Sequence, residues 1–297
     1  MSPSDDPLPA LPDLPEDAHK GTAGRVLCVV GSRTMPGAAI LVARAAQRGG
    51  AGLVTIGALD RELLTSLPIA ASEAVLLDLS AALPCEGAPA RGAARRLFAR
   101  DPHAWLVGPG IGDDGRARTL VRLALDAPPR PLVIDADGLN ALDGEPERLA
   151  ERGGAPLVIT PHPGEAARLA GRPVPADAGG RRTFALELAR RSRSIVCLKG
   201  HGTLVSDGER VWTCETGNAG MATAGAGDVL AGVLVAYLAL VGRPGGGALD
   251  AFDACRLAVH THGLAGDLAA LELGRRALVA SDLVRFLPAA QLRLLDR

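Results

Sequence analysis

The chain has 297 residues, of which 47% are hydrophobic and 22% are charged, and its formal net charge is −1. This balance predicts a globular α/β protein of one or two domains, and it argues against the basic surface of a nucleic-acid-binding protein. No apolar run reaches the roughly 18 residues that a membrane span needs, and only 2% of the residues are aromatic. We therefore expect neither a membrane nor a nucleic acid as a partner.

The first 18 residues are acidic and rich in proline, and they lack the basic and apolar regions of a signal peptide. We expect a flexible N-terminal segment over residues 1–18, followed by one domain over residues 19–297. Five cysteines occur without C-x-x-C spacing. They predict buried thiols in a reducing, cytoplasmic environment.

Apolar runs of strand length alternate with helical patterns along the chain. The runs predict strands within 25–31, 53–57, 74–79, 104–110, 131–138, 156–165 and 194–200, helices at 37–52, 117–127, 228–240 and 250–272, and a hairpin over 202–215. Near-continuous apolar strands that alternate with helices are typical of a parallel sheet covered on both faces. Ligands bind at the carboxyl ends of such strands, where GPGIG, DADGLN, TPHPGE and KGHGT follow predicted strands.

The stretch ATAGAGD at residues 222–228 leads into a long apolar helix. Small residues before a helix N-terminus leave backbone N–H groups free, so the stretch predicts a site for a terminal phosphate. Asp228 has two interpretations at this stage. It is either a helix-capping residue or a general base that accepts a proton from a substrate hydroxyl.

Other polar residues have competing interpretations. Only two of the 32 basic residues are lysines, and one of them, Lys199, precedes a glycine. Lys199 either binds a phosphate as a compact point charge, or its position before the glycine is a matter of chance. The acidic pair at 135 and 137 predicts a turn, with a Mg²⁺ site as the alternative. His260 and His262 lack metal-ligand spacing and are interpreted as structural.

Nine ordered motifs point to one family. The chain resembles the ADP-dependent NAD(P)H-hydrate dehydratases of the ribokinase-like superfamily through HKGTAGRVLCVVGS (19–32), MPGAAILVARAAQRGGAGLV (35–54), GPGIG (108–112), DADGLNAL (135–142), TPHPGEAARL (160–169), KGHGTLV (199–205), GNAGMAT with GAGD (217–228), HGLAGDLAA (262–270) and ASDLVRFLP (280–288). The resemblance implies a ribokinase-like three-layer α/β/α sandwich with a mostly parallel central sheet. It also implies the dehydration of hydrated NADH or NADPH, with ADP or ATP as phosphate donor, Mg²⁺ as cofactor and a homo-oligomer, often a tetramer. Since residues 1–18 are too few for the epimerase domain that often accompanies this family, we expect a stand-alone dehydratase.

The resemblance also assigns roles to residues. It implies that Asp228 is the base that takes the hydroxyl proton. Substrate contacts are implied for Ala39, Gly110, His162, Asn218 and Asp228, nucleotide contacts for Lys199, Gly200, His201, Gly202, Thr203, Gly225 and Gly227, and a metal contact for Glu165.

The chain departs from the family pattern at Ala224 and Ala226, because the family usually has T-G-G-[ST]-G-D where this chain has TAGAGD. Ala226 occurs in many ribokinase-like sugar kinases, so we expect it to be tolerated. An alanine at 224 is strained if that position needs a positive φ, and the strain would lower the rate. Two alternatives remain: a kinase of a small alcohol such as a vitamin precursor, which GAGD itself supports, and a nucleotide-binding protein without catalysis, in which Ala224 has spoiled the site.

Overall fold

The structure, a computed structural model, describes residues 7–81, 91–142, 144–243 and 249–295. Its centre is one nine-stranded sheet with the order β3-β2-β1-β4-β5-β6-β7-β8-β9. The strands are β1 (Arg25–Val29), β2 (Leu53–Ala58), β3 (Val75–Asp78), β4 (Ala104–Val107), β5 (Leu132–Ile134), β6 (Leu157–Ile159), β7 (Ile195–Leu198), β8 (Leu204–Ser206) and β9 (Val211–Thr213). Every pairing from β3 to β7 is parallel, whereas β7-β8 and β8-β9 are antiparallel.

Helices cover both faces of this sheet. They are α1 (Pro36–Arg48), α2 (Arg61–Ala70), α3 (Arg91–Phe98), α4 (Gly115–Leu125), α5 (Asp137–Asn140), α6 (Glu147–Ala150), α7 (Pro163–Ala170), α8 (Ala178–Ser192), α9 (Ala226–Gly242), α10 (Ala251–Leu273) and α11 (Ala280–Leu295). The predicted mostly parallel sandwich with three layers is thus confirmed. No helix among the described residues is long and apolar enough to cross a membrane.

Two apolar layers follow from the alternation of side chains along the strands. In β1, Val26 and Cys28 belong to a cluster that includes α1, α9, α10 and α11, while Leu27 and Val29 belong to a cluster on the opposite face with α4, α7 and α8. Since successive strand residues point to opposite faces, a strand buried on both sides must be apolar throughout. This requirement explains why the strands could be predicted from continuous apolar runs.

Small residues bring α1 and α9 close together. A Cβ atom on Gly232 of α9 would lie 2.7 Å from Ala45 Cβ of α1, and one on Gly49 would lie 2.9 Å from Ala236 Cβ. Both distances are shorter than van der Waals contact, so larger residues would push the helices apart. This close packing fixes the N-terminus of α9, where Asp228 lies, relative to the sheet.

The sequence-based predictions missed several elements and left one segment open. The helices that were not predicted are α2, α3, α5, α6, α7, α8 and α11. Helices α5 and α6 have only four residues each, and the others have short apolar stripes that arginines or a proline interrupt. Most of the loop GRPGGG (242–247) lies outside the described residues. Residues 1–18 were expected to be flexible, yet Leu8 and Leu11 pack against the core and Arg256 Nη2 donates a hydrogen bond to Pro7 O at 3.2 Å.

Candidate functional site

The loops that follow β1, β4, β6 and β7 are joined at the carboxyl edge of the sheet. Gly31 N donates to Pro109 O at 2.7 Å, and Lys199 N donates to Pro161 O at 2.9 Å. The motifs GPGIG, TPHPGE and KGHGT therefore converge as the strand pattern predicted. These loops carry or contact the charged groups of the site.

Lys199 is paired with a buried carboxylate. Its Nζ atom lies 2.8 Å from Asp135 Oδ1 and 3.9 Å from Glu165 Oε2, and both carboxylate side chains are almost fully buried. Burial opposes the charged lysine, but the charges of Asp135 and Glu165 raise the pKa of Lys199 above its ordinary value. Lys199 therefore carries a fixed positive charge at the carboxyl edge of the sheet.

The acidic pair at 135 and 137 forms a turn and also contributes charge. Asp135 O accepts a hydrogen bond from Gly138 N at 2.9 Å, and Ala136 adopts a φ of 50° between the two acids. The turn that the sequence favoured is present. The pairing of Asp135 with Lys199 was missed, because 64 residues separate them in the chain.

Asp228 lies in the first turn of α9 and does not cap it. The N-cap is Gly225, with a φ of 87°, and no side chain makes a capping hydrogen bond there. Burial, followed by the negative charge of Asp135, raises the pKa of Asp228 to about 6, although Lys199 opposes the shift. The capping interpretation is therefore wrong for this helix, and Asp228 has the pKa range of a general base that works near neutral pH.

Gly225 is the residue in this run whose backbone requires glycine. A Cβ atom on it would collide with Leu41 Cδ1 and lie 3.0 Å from Ala280 Cβ. Ala224 is absent from the non-glycine residues that the structure places at positive φ, which are Asp101, Ala136 and Arg193 in the described ranges. The backbone strain anticipated at position 224 is therefore not present.

A cavity of about 810 Å³ opens beside the N-terminus of α9. Its lining includes every residue for which the sequence implied a nucleotide contact except Gly225, namely Lys199, Gly200, His201, Gly202, Thr203 and Gly227. Lys199 Nζ lies 3.4 Å from the position of a Cβ on Gly227. A cation and the positive end of a helix dipole thus occupy the same wall, an arrangement suited to phosphate groups.

His162 lines the same cavity and begins α7. Its Nδ1 accepts hydrogen bonds from Gly164 N at 2.9 Å and from Glu165 N at 3.4 Å, while Glu165 Oε2 accepts one from His162 N at 2.7 Å. The two residues form a capping box that fixes the ring. About half of the His162 side chain stays exposed, so it can contact a ligand.

Asn218 also lines the cavity, but its amide is used within the protein. Its Nδ2 donates to Gly266 O at 3.0 Å and to Asp267 Oδ1 at 2.9 Å, and its Oδ1 accepts from Gly220 N at 2.9 Å. Both amide donors are therefore occupied. Asn218 holds the GNAGM loop against α10, and its contact with a reacting ring stays a prediction.

Ala39 and Gly110 lie outside this cavity, where α1 meets the loops after β1 and β4. Ala39 is fully buried, and a Cβ on Gly31 would lie 2.7 Å from Ala39 Cβ. Gly110 has a φ of 67°, and a Cβ on it would lie 2.8 Å from Ala38 Cβ. The substrate contacts implied by the sequence are thus divided between the cavity and this junction.

His262 was interpreted as structural, but its ring forms part of the cavity wall. Its Nε2 atom is buried without a hydrogen-bond partner among the described residues, and burial lowers the pKa of His262 to about 4. A neutral imidazole in this wall adds no charge to the phosphate end of the cavity. His262 is the first residue of the motif HGLAGDLAA and His260 lies outside it, but the motif does not show which face of α10 meets α9.

Comparison with known proteins places the chain in a family. A model of the family described as NAD(P)H-hydrate dehydratase matches residues 26–289. The ADP-dependent (S)-NAD(P)H-hydrate dehydratase of Neisseria meningitidis is 37% identical over 93% of this chain and 86% of its own length. The bifunctional NAD(P)H-hydrate repair enzyme Nnr of Moorella thermoacetica is 40% identical over 94% of this chain, and the chain spans about half the length of such bifunctional relatives.

A solved structure is similar over nearly the whole chain. The ADP/ATP-dependent NAD(P)H-hydrate dehydratase of Bacillus subtilis, co-crystallised with ATP/Mg²⁺, superposes with a TM-score of 0.78 and is 29% identical. The similarity covers 96% of this chain and 95% of the other.

Proposed function

Because the chain belongs to the NAD(P)H-hydrate dehydratase family and has the ribokinase-like fold, we propose that it converts hydrated NADH and NADPH to NADH and NADPH with ADP or ATP as phosphate donor. The observation that carries this proposal is the position of Asp228. A carboxylate with a pKa of about 6 stands at the N-terminus of α9, beside Lys199 and next to a cavity suited to a nucleotide.

The reaction begins with phosphoryl transfer to the hydroxyl of the hydrated ring. The hydroxyl oxygen bonds to the terminal phosphorus of the nucleotide as the bond from that phosphorus to its bridging oxygen breaks, and Asp228 takes the hydroxyl proton. Phosphate then leaves the ring with the electrons of the C–O bond. Loss of a proton from the neighbouring carbon restores the ring double bond, so the products are NAD(P)H, free phosphate and a nucleotide shorter by one phosphate.

The phosphates of the nucleotide are expected at the wall formed by Lys199 and the start of α9. The ammonium group of Lys199 and the first-turn N–H groups near Gly225 and Gly227 supply positive potential where negative charge moves. The loop from Gly200 to Thr203 continues this wall and would hold the rest of the nucleotide. The hydrated dinucleotide would approach from His162 and from the junction that contains Gly110 and the buried Ala39.

We assign Mg²⁺ to the nucleotide phosphates, with Glu165 as the candidate protein ligand. The described residues contain no group of three His, Cys, Asp or Glu side chains that could hold a metal ion. A Mg²⁺ ion that arrives with phosphates needs only one or two carboxylates, and the buried carboxylate oxygens of Glu165 and Asp135 beside Lys199 are ligands of the required type. When bound, the ion would neutralise part of the phosphate charge.

We further propose a homo-oligomer, a tetramer, formed by single-domain subunits in the cytoplasm. The family resemblance supports the assembly, and Leu271, Val279 and Leu292 leave apolar side chains at least half exposed near α10 and α11. The four described cysteines are buried and free, as suits a reducing compartment. Analytical ultracentrifugation tests the assembly directly, and a monomer at micromolar concentration would contradict it.

Product analysis tests the proposed reaction against a kinase. The dehydratase releases one free phosphate for each NADH formed, whereas a small-alcohol kinase leaves a phosphorylated substrate and no free phosphate. We expect equal amounts of phosphate and NADH from NADH hydrate. The non-catalytic alternative rested on strain at Ala224, which the backbone does not show.

The rate is expected to fall on the acid side of the Asp228 pKa. The base must be a carboxylate, so kcat/KM for NADH hydrate should be level above pH 7 and fall about tenfold for each pH unit below about 6. The nucleotide phosphates also titrate in this region, and the affinity for ADP measured over the same pH range serves as the control. A rate that stays level down to pH 4.5 would show that Asp228 is not the base.

Substitution is expected to be costly at Gly225 and nearly neutral at Ala224. Gly225→Ala adds a Cβ at a φ of 87° against Leu41, so we expect a loss of about 2 kcal/mol in the free energy of unfolding and at least a tenfold loss of activity. Ala224→Gly should change activity by less than about twofold, because Ala224 is unstrained. A large gain of activity in Ala224→Gly would contradict this assignment of the strained position.

A further inference from the structure

A second cavity, of about 370 Å³, opens at the same edge of the sheet, where the loops after β1, β2 and β4 meet. Six charged side chains line it: Arg33, Asp60, Glu62, Asp113, Asp114 and Arg116. Four carboxylates against two guanidinium groups leave a net charge of two negatives. The cavity is therefore electrostatically different from the phosphate end of the larger one.

The cavity lies at the point where the strand order reverses. The order β3-β2-β1-β4 means that the chain proceeds to one side of β1 through β2 and β3 and to the other side through β4. Sheets of this kind bind ligands in the crevice at that point, and in dinucleotide-binding sheets an acidic residue after the second strand accepts hydrogen bonds from a ribose. Asp60 occupies the corresponding place, two residues after β2.

Asp60 is held in place as an anion. Its Oδ2 accepts from Arg33 N at 2.7 Å, and its Oδ1 accepts from Arg116 Nη1 at 3.0 Å. Burial opposes the charge, but these hydrogen bonds and the two arginine charges lower the pKa of Asp60. Arg116 Nε also binds Asp114 Oδ2 at 2.8 Å, so this guanidinium already serves two carboxylates. Each Asp60 oxygen keeps a lone pair for a hydroxyl donor.

The cavity is connected to the catalytic region through Gly112 and Asp137. Gly112 lines the cavity and donates its N–H to Asp137 Oδ2 at 2.9 Å, and the charge of Asp137 contributes to the raised pKa of Asp228. Gly110 stands two residues before Gly112, at the junction with α1. A dinucleotide whose ring reaches Asp228 past Gly110 would thus place its far end in this cavity.

We propose that the second cavity binds the adenosine ribose of the hydrated dinucleotide and favours the hydrate of NADH over that of NADPH. The two hydrates differ by the 2′-phosphate of this ribose. A free 2′-hydroxyl donates to a carboxylate such as Asp60, whereas a phosphate brings about two further negative charges into a cavity that is already negative. This inference rests on the proposed dehydratase function and specifies its substrate.

The inference is tested by comparing the two hydrates as substrates of variants that lack one negative charge in the cavity. We would measure kcat/KM for the hydrates of NADH and NADPH at low ionic strength, with wild-type protein and with Glu62→Gln, Asp113→Asn and Asp60→Asn. We expect at least a tenfold preference for NADH hydrate, which narrows in high salt because exposed charges are screened. Each neutralising substitution should lower the ratio of kcat/KM for NADH hydrate to kcat/KM for NADPH hydrate by roughly three- to tenfold.

A matched control and three outcomes decide the result. Asp126→Asn removes the same charge from an exposed position at the far end of α4 and should leave the ratio unchanged. Because Asp60 also holds Arg116, Glu62→Gln and Asp113→Asn keep the test valid if Asp60→Asn fails to fold. Turnover of both hydrates without discrimination would overturn the inference alone. A preference for NADPH hydrate that Arg33→Ala abolishes would assign the cavity to the 2′-phosphate, and no turnover of either hydrate would overturn the proposed function with it.

Discussion

Asp228→Asn is expected to lower kcat by roughly 10²- to 10⁴-fold, the usual contribution of a general base, while the protein still binds ADP. The amide keeps the shape of the side chain at the start of α9 but cannot take the proton of the ring hydroxyl. Steady-state kinetics with NADH hydrate gives the rate, and isothermal titration with ADP gives the affinity. Near-wild-type turnover in this variant would remove Asp228 from the mechanism.

The free energy of unfolding provides the control for Asp228→Asn, because this variant should be more stable than wild type although it is less active. The pKa of Asp228 is about 6 in the folded protein and near 3.8 in the unfolded chain, so the folded state binds the proton more tightly. The free energy of unfolding therefore falls as pH rises from about 4 to 6, and this loss of stability persists above pH 6. We expect Asp228→Asn to be more stable than wild type by about 1–3 kcal/mol at pH 8 and equal to it below pH 4. Urea unfolding at both pH values distinguishes this outcome from misfolding.

Lys199→Ala is expected to damage both the fold and the nucleotide site. It leaves Asp135 and Glu165 buried without their cation, and breaking a buried ion pair by removing one partner costs about 3–5 kcal/mol. It also removes a charge that lowers the pKa of Asp228, so the acid limb of the pH–rate profile should move to higher pH. The apparent affinity for nucleotide should fall far more than that for the dinucleotide.

Two further variants separate these effects. Lys20→Ala removes the chain's other lysine, which is exposed, and should change neither stability nor affinity. Lys199→Met combined with Asp135→Asn removes the nearer of the two unpaired carboxylate charges and should recover part of the stability without recovering nucleotide affinity. Equal losses of affinity for nucleotide and dinucleotide in Lys199→Ala would contradict the placement of phosphates beside this residue.

Much of the fold could be predicted because the strands are buried on both faces and therefore carry continuous apolar sequences. The long helices α9 and α10 were also predicted, since α9 is apolar on nearly every side. Helix α8 was missed because only one side of it is buried, around Phe184 and Leu188, while arginines occupy the rest. The position of the site at the carboxyl edge followed from the sheet type alone.

The details that could not be predicted depend on contacts between distant parts of the chain. Asp135 follows the end of β5 and Lys199 follows the end of β7, and only the order of strands in the sheet brings the two residues together. The need for glycine at 225, and not at 224, arises from Leu41 on α1 and from the backbone turn at the start of α9. The second cavity combines loops after three strands, so no single motif indicated it.

The most direct test of the dehydratase is the nucleotide-dependent recovery of NADH. Purified protein would be incubated with NADH hydrate and Mg²⁺, with ADP, with ATP or without nucleotide, and the absorbance of NADH followed over time. We predict a rise that requires nucleotide, is abolished by Asp228→Asn and is matched by free phosphate. No rise with either nucleotide, from folded protein that binds ADP, would contradict the proposed function.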